Sequence, residues 1–188
     1  MVMNFVKNKG IKRNDTPTPQ SVVDFITELI RDLGYKRVLD PACGKVDNQQ
    51  RGILTSKLQG IEVIQYDIIY DTNFLDETEK IDADLVIVNP PFNRTDYCGK
   101  GRMLLPEQFM DKIIKLCGKD IPIILITPMG FRLNCGKTSK RRKKLMNDYP
   151  DITSIISLPV DVFEGVKFHT EILCFNIPQL KPHYVYPY

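Results

Sequence analysis

Residues 83–92 read ADLVIVNPPF, a nearly continuous apolar run that ends in Asn, two prolines and an aromatic residue. The run predicts a strand over 83–89 with both faces covered, because a strand with one face in water alternates apolar and polar residues. Strands buried on both faces belong to sheets that are mostly parallel and flanked by helices. This stretch therefore predicts a doubly wound α/β fold.

The segments around this strand alternate between helix-like and strand-like patterns. Thr18 is expected to cap a helix that begins at Pro19, and Gly34 is expected to end that helix in a left-handed turn. The other predicted helices are a weaker one at 49–58, one at 106–116 and a basic one at 140–147. The other predicted strands are 36–40, 61–67, 121–127, 152–158 and 171–177.

The order of these elements predicts how the chain is organised. The last two strands have no helix between them and predict an antiparallel hairpin at one sheet edge. The expected fold class is α/β: a Rossmann-like, doubly wound, mostly parallel sheet of seven strands, six of which are the segments named above, closed by the C-terminal hairpin, with helices on both faces. A chain of 188 residues has the size of one domain. We expect that domain to span 1–188, with a flexible 1–15 and an extended, proline-rich tail at 178–188 lying on the surface.

Composition argues against several classes of protein. The chain is 43% hydrophobic and 26% charged, which is typical of a globular protein. No apolar run approaches the ~20 residues of a membrane span, and the N-terminus lacks the apolar segment of a signal peptide. Five scattered cysteines with no C-x-x-C pair indicate free thiols in a reducing compartment. We therefore expect a cytoplasmic protein without membrane contact and, because its two histidines lack ligand spacing, without a metal site.

Positive charge is concentrated in one segment of a chain whose net charge is +3. Six basic residues lie within 137–144: Lys137, Lys140, Arg141, Arg142, Lys143 and Lys144. Such a local cluster favours contact with the phosphates of a nucleic acid, and Arg132 could join it. A solvated helix face is the alternative interpretation, and this feature alone does not decide between the two.

Ligands of a parallel sheet bind beyond the carboxyl ends of its strands, and the first two predicted ends carry unusual residues. DPACG at 40–44 places Asp40 where it can accept hydrogen bonds from a cationic amine, and Gly44 allows the backbone to approach a ligand closely. Asp67 follows 23 residues after Gly44, an offset typical of a carboxylate that binds ribose hydroxyls. Together they indicate a cofactor that contains a nucleoside, while the absence of G-x-G-x-x-G argues against a dinucleotide.

The third strand end is NPPF at 89–92. Its two prolines lack backbone donors and hold the chain extended, so nearby carbonyl groups stay unpaired. The Asn89 side chain adds a second acceptor, and two adjacent acceptors can hold both hydrogens of an exocyclic amine. Phe92 offers a face on which a planar ring can stack. NPP also suits a plain turn, but that alternative does not account for the aromatic residue at a ligand-binding position.

Taken in order, TPQSVV at 18–23, DPACG at 40–44, Asp67 and NPPF at 89–92 resemble the motifs of the S-adenosylmethionine-dependent N6-adenine DNA methyltransferases. That family includes the type I modification subunits of restriction-modification systems. The resemblance extends to the last two predicted strands and so covers nearly the whole chain. It implies an enzyme that transfers a methyl group from S-adenosylmethionine to the N6 amine of an adenine flipped out of double-stranded DNA.

The resemblance also implies roles for the matching residues. Those implied to bind the cofactor are Thr18, Asp40, Ala42, Gly44, Asp67, Ile68 and Asn73. Asp67 would bind the ribose hydroxyls, and Asn73 stands where the family has an acid that contacts the cofactor's adenine. The implied catalytic residues are Asn89 and Pro90, whose carbonyl oxygens would hold the target amine, and Phe92, which would stack on the base. Catalysis would then consist of orientation and electrostatic stabilisation.

Three features depart from the family pattern. The residues at 45–47 are Lys, Val and Asp where small residues are usual, Asn73 replaces an acid, and Pro17 stands where an aromatic residue often precedes Thr-Pro. A catalytically weak or inactive binding subunit therefore stays open as an alternative, as do ribosomal RNA amines and protein glutamine as acceptors. No separate target-recognition domain is expected, so recognition would come from a partner such as a specificity subunit, from the segment 93–105, or would be slight. A homo-oligomer is the other expected assembly.

Overall fold

A mixed sheet of seven strands forms the centre of the computed structural model, which describes residues 16–45, 51–92 and 104–187. The strands are β1 (Arg37–Asp40), β2 (Glu62–Gln65), β3 (Leu85–Val88), β4 (Ile123–Pro128), β5 (Ile152–Ser157), β6 (Thr170–Phe175) and β7 (His183–Val185). Their spatial order is β2-β1-β3-β4-β6-β5-β7. The first four in this order are parallel, and β6 is antiparallel to both β4 and β5. The predicted doubly wound, mostly parallel sheet with an antiparallel hairpin is confirmed.

The helices lie on both faces of this sheet, and each face has its own apolar core. The α-helices are α1 (Gln20–Ile30), α2 (Leu105–Cys117), α3 (Gly130–Leu133) and α4 (Lys140–Lys143). Val22 and Ile26 of α1 pack on the same face as Ile87, whereas Met110 of α2 packs on the opposite face with Val88. All four β3 residues are fully buried, as their continuous apolar run predicts. Full burial of such a side chain stabilises the fold by roughly 1.5–3 kcal/mol.

The start of α1 differs from the prediction. Pro19 is the N-cap residue, and no side chain caps the helix. The Thr18 hydroxyl instead accepts a hydrogen bond from Asn89, so the prediction that Thr18 caps α1 is wrong. Gly34 adopts a positive φ of 78° after the helix, which is the left-handed conformation predicted there.

Three other segments also differ from their predicted forms. The weak helix predicted at 49–58 includes residues 49 and 50, which lie outside the described ranges. The described part forms a single 3₁₀ turn at Ile53–Thr55. The basic helix predicted at 140–147 is α-helical only over Lys140–Lys143 and continues as a π-helix over Lys144–Asp148. The proline-rich tail supplies β7, which pairs in parallel with β5 at the sheet edge. An edge position suits this sequence, since the prolines on either side of β7 cannot donate to a central ladder.

The flexibility predicted for 1–15 concerns residues outside the described part. Within residues 16–45, 51–92 and 104–187, no helix combines the length and apolar character needed to cross a membrane.

Candidate functional site

A cavity of about 530 Å³ opens where β1, β2 and β3 end. Its walls include the segments that follow each of these strands: Pro41 to Gly44, Asp67 and Ile68, and Asn89 to Phe92. Ligand sites of doubly wound sheets lie at this edge because the loops after adjacent parallel strands converge there. The volume falls within the range of roughly 300–1,000 Å³ typical of small-molecule and cofactor sites.

The loop after β1 holds a buried acid that is only partly satisfied. Asp40 is fully buried, and its Oδ1 accepts a hydrogen bond from the Ala42 N–H at 3.3 Å. Its Oδ2 has no hydrogen-bond partner within the described ranges. Burial raises the pKa of Asp40 to about 7, and the nearby charge of Asp67 adds to that rise. Asp40 lies behind the cavity wall rather than in it, whereas Ala42 and Gly44 form part of the wall. A buried, half-satisfied carboxylate favours the arrival of a hydrogen-bond donor or a cation.

Asp67 connects the loop after β2 to the loop after β1 by a hydrogen bond. Its Oδ2 accepts a hydrogen bond from the Gly44 N–H at 3.0 Å, and its Oδ1 accepts one from the Ile69 N–H at 2.9 Å. Gly44 has a φ of 67°, a left-handed conformation that glycine adopts without strain. A carboxylate has more lone pairs than these two bonds use, so Asp67 can still accept from ligand hydroxyls.

Gly52 supports the same loop and was missed by the sequence reasoning. A Cβ atom on Gly52 would lie 2.6 Å from the Cys43 carbonyl oxygen and 2.7 Å from the Cys43 Cβ. The Gly52 N–H donates to the Gln65 side-chain oxygen at 2.7 Å. Gly52 therefore lets its own segment pack directly against the loop at 41–44. The one signal in the sequence was a glycine inside the stretch predicted as a weak helix, where glycine is unfavourable.

The loop after β3 carries a fixed amide. The Asn89 Nδ2 donates a hydrogen bond to the Thr18 Oγ1 at 3.0 Å, and both residues line the cavity. Thr18 is buried, so the bond is shielded from water. The bond holds the amide in one orientation, and the carbonyl oxygen is the atom of the Asn89 side chain that can accept from a ligand. Pro90 and Pro91 lie beside it in the cavity wall.

Two aromatic rings face each other at the cavity. The Phe92 ring centroid lies 6.1 Å from that of Phe168, with the planes inclined at 58°. Phe168 belongs to the connection between β5 and β6, lines the cavity and is 43% exposed. Sequence reasoning missed Phe168. The one available signal was an exposed aromatic residue in a long connection that the topology returns to the carboxyl edge of the sheet.

The remaining wall is largely apolar. It includes Ile68, Phe74, Leu105 and Phe109. Asn73 also lines the cavity, but its Oδ1 accepts from the Leu75 N–H at 3.2 Å and its Nδ2 donates to Asp76 at 2.7 Å. Its amide therefore caps the 3₁₀ turn Phe74–Asp76 first, and one lone pair of Oδ1 is left for a ligand.

The basic residues divide into two groups. Arg132 Nη2 lies 2.9 Å from the Glu171 carboxylate, which is fully buried. Arg141 and Lys144 both contact Glu107. Arg132, Arg141 and Lys144 are therefore paired with acids of the same chain, and the contact of the seven basic residues with phosphates stays a prediction. The four that are exposed are Lys137, Lys140, Arg142 and Lys143.

Most of the residues predicted for the pocket thus surround one cavity: Thr18, Ala42, Gly44, Asp67, Ile68, Asn73, Asn89, Pro90 and Phe92. Asp40 stands just behind them. Groups of three or more metal-binding side chains are absent from the described ranges.

Comparison with known proteins gives a consistent result. The family model described as N-6 DNA Methylase matches residues 53–183. The fold resembles that of a Listeria monocytogenes protein assigned to the class I S-adenosylmethionine-dependent methyltransferases, with a TM-score of 0.62 and 17% identity over 94% of this chain and 68% of that one. No curated protein sequence matches the chain.

Two further solved structures share the fold. One is the type I restriction-modification methyltransferase subunit from Streptococcus thermophilus, with a TM-score of 0.56 and 17% identity over 85% of this chain and 44% of that one. The other is the M protein of the type I restriction enzyme EcoKI, with a TM-score of 0.55 and 19% identity over 84% of this chain and 43% of that one. The chain therefore spans less than half the length of these two subunits.

Proposed function

The chain belongs to the N-6 DNA methylase family, and on that premise we propose that it methylates the exocyclic N6 amine of adenine in DNA. The observation that carries the proposal is the Asn89 amide. Thr18 engages its nitrogen, which leaves an oxygen acceptor beside Pro90 in a cavity that also contains Asp67. Together with the Pro90 carbonyl, this oxygen would form a pair of acceptors next to the Phe92 ring, and such a pair suits a planar base with an amino group.

S-adenosylmethionine is the cofactor, and the residues around the cavity fit it. The unpartnered Asp40 Oδ2 would attract the ammonium group, and Asp67 would accept from the ribose hydroxyls. Ile68 and Phe74 provide apolar surface for the adenine ring. When bound, the cofactor supplies an electrophilic methyl group on a sulfonium. The protein therefore needs no nucleophile of its own, and its task is to orient the acceptor amine.

The residues of the β3 loop would orient that amine. Asn89 Oδ1 and the Pro90 carbonyl would accept its two hydrogens, which directs the nitrogen lone pair away from the base ring and stabilises the positive charge that develops on the nitrogen. Phe92 would stack on the flipped base, and Phe168, whose ring lies 6.1 Å away, would contact it from another side.

DNA is the proposed nucleic acid, and the exposed cations would hold its backbone. No acid within the described ranges forms an ion pair with these cations, which are Lys137, Lys140, Arg142 and Lys143. Phosphate contacts of this kind position a duplex but do not read its sequence. We propose that a further subunit or a second copy of the chain reads the sequence, since the two solved structures from type I restriction enzymes that share this fold are themselves subunits.

Incubation with S-adenosylmethionine labelled in its methyl group tests the proposal. Separate pools of duplex DNA, ribosomal RNA and protein are offered as acceptors, and label is expected in the DNA pool. Label in ribosomal RNA or in protein glutamine would favour the alternative acceptors. Cofactor binding without transfer to any pool would favour an inactive binding subunit.

A further inference from the structure

We infer that Glu107 is a positioning residue whose buried carboxylate anchors the segment 137–144 to α2, and so holds the four exposed cations against DNA phosphates. The inference rests on the proposed function, because it concerns how the DNA substrate is held. The four cations, Lys137, Lys140, Arg142 and Lys143, are called the basic ridge below.

Glu107 is a nearly buried acid with two cationic partners. It lies in the first turn of α2 and is only 4% exposed. Its Oε1 lies 3.2 Å from Lys144 Nζ and its Oε2 lies 3.7 Å from Arg141 Nε. Removing a carboxylate from water is costly unless paired cations replace the lost solvation. Glu107 therefore holds Arg141 and Lys144 firmly at their present positions.

The two anchored cations have further partners on neighbouring elements. Arg141 donates to the carbonyl oxygens of Gly130 and Phe131 in α3, both at 3.3 Å. Lys144 also contacts Asp111, one turn along α2 from Glu107, at 2.5 Å. Burial alone would lower the pKa of Lys144, but its hydrogen bonds to Asp111 and Glu107 raise it. The segment is thus fastened to both α2 and α3.

The basic ridge depends on this anchor because α4, which carries three of its four residues, is too short to be stable alone. α4 comprises four residues and continues directly into the five-residue π-helix Lys144–Asp148. Isolated helices shorter than about 12 residues are marginal in water, so a single turn needs tertiary contacts to persist. Arg141 and Lys144 join it to α2 through the Glu107 carboxylate. Lys144 also pairs with Asp111, and Tyr149, just beyond the helical segment, donates to Asp111 as well. Glu107 is thus the α2 residue on which both basic side chains converge.

The anchor also connects the ridge to the cavity. Leu105 and Phe109, on either side of Glu107 in α2, form part of the cavity wall. One short helix segment therefore carries both a wall of the proposed base pocket and the attachment point of the ridge. A duplex held by the ridge would be held at a defined position relative to the pocket.

Duplex binding by Glu107→Gln, measured against Glu79→Gln, tests the inference. Glu79 is exposed, so both variants remove one negative charge but only one removes the anchor. Loss of a negative charge alone should tighten binding to a polyanion. We expect Glu107→Gln to bind a fluorescein-labelled duplex about tenfold more weakly than Glu79→Gln. We also expect faster hydrogen exchange at 140–148, and partial recovery of duplex affinity in Glu107→Asp.

Arg141→Gln supplies a second route should Glu107→Gln fold poorly. Measured against Arg31→Gln, which removes the same charge from an exposed position, it is expected to weaken duplex binding about as much as Glu107→Gln does against Glu79→Gln. Once these charge effects are subtracted, the double variant should bind no more weakly than either single one, because both changes break the same anchor. Additive losses would mean that Arg141 contacts phosphate directly and would overturn the inference, as would Glu107→Gln binding as tightly as Glu79→Gln. An unchanged chain that binds S-adenosylmethionine but no duplex would instead overturn the DNA part of the proposed function.

Discussion

The side-chain nitrogen of Asn89 donates a hydrogen bond to the hydroxyl of Thr18 at 3.0 Å, although 71 positions separate the two residues. Thr18 precedes α1 and Asn89 follows β3, so this bond joins one wall of the cavity to another. It determines which end of the amide is available to a ligand. The NPPF segment at 89–92 could have formed an ordinary turn without a binding role. With this hydrogen bond it presents a fixed acceptor to the cavity.

Replacement of Thr18 tests the value of that bond. Thr18→Val keeps the shape of the side chain but removes the acceptor, so the amide can rotate and its nitrogen is left unsatisfied. We expect the rate of methyl transfer to fall about tenfold to a hundredfold, which corresponds to roughly 1–3 kcal/mol. Thr18→Ser should retain most of the rate. Thr27→Val is the control, because the Thr27 hydroxyl bonds only within α1. An active Thr18→Val enzyme would show that the orientation of Asn89 is set elsewhere.

Asp40 should make cofactor binding depend on pH. Burial raises its pKa to about 7, so the carboxyl becomes neutral as the pH falls through that value. A neutral carboxyl attracts an ammonium group less, and we expect calorimetry to show weaker binding of S-adenosylmethionine at about pH 6 than at about pH 8. Asp40→Asn should bind weakly at both pH values. An unaltered pH profile in Asp40→Asn would assign the titration to another group.

The same pKa shift predicts how stability varies with pH. The folded-state pKa of Asp40 lies above its ordinary value of 3.8, so the folded state binds this proton more tightly than the unfolded state does. Stabilisation present at about pH 4 is therefore lost as the pH rises through about 7. The free energy of unfolding, measured with urea, should decline less between about pH 4 and about pH 7 for Asp40→Asn than for the natural chain.

Gly52 provides a test of the loop that follows β1. The Cβ of Gly52→Ala would meet the Cys43 backbone at 2.6 Å, so the loop at 41–44 must move away. We expect the dissociation constant for S-adenosylmethionine to rise about tenfold or more, since displacements of about 1 Å are costly at such sites. Gly136→Ala is the control, because a Cβ there meets nothing within 4 Å. Equal affinities for the two variants would mean that the loop does not contact the cofactor.

Phe168 is expected to act on the DNA base rather than on stability. It is 43% exposed, so Phe168→Ala should leave the unfolding midpoint nearly unchanged. Loss of its contact with a flipped base should reduce kcat/KM for DNA by about fivefold to 150-fold, which corresponds to the roughly 1–3 kcal/mol of a base-stacking contact. Val160→Ala serves as the control, since Val160 is similarly exposed in the same connection. A matching reduction in Val160→Ala would indicate a general effect of the connection.

The sheet and much of the cavity could be predicted because local patterns decide them. The continuous apolar run of β3 requires cover on both faces, and acids or prolines at strand ends show where side chains meet a ligand. Gly44, Asp67 and Asn89 were therefore found from their positions alone. β7 could not be found in this way, because a strand of three residues between prolines carries almost no pattern.

Contacts between distant segments were the part that sequence reasoning could not supply. Thr18 has the residue type of a helix cap, and only the fold brings Asn89 to its hydroxyl. Arg141 and Lys144 are indistinguishable in sequence from their exposed neighbours, and only the position of Glu107 separates them. Phe168 meets Phe92 because β6 runs antiparallel beside β4, which returns the β5–β6 connection to the cavity.

Nucleoside analysis of duplex DNA by mass spectrometry, after incubation with S-adenosylmethionine and either the natural chain or Asn89→Ala, provides the sharpest test. We expect N6-methyladenine from the natural chain and a loss of about a hundredfold or more with Asn89→Ala, because one of the two acceptors that orient the amine is gone. Both proteins should still bind the cofactor. Equal amounts of N6-methyladenine from the two proteins, or methylation of a different atom, would contradict the assignment of Asn89.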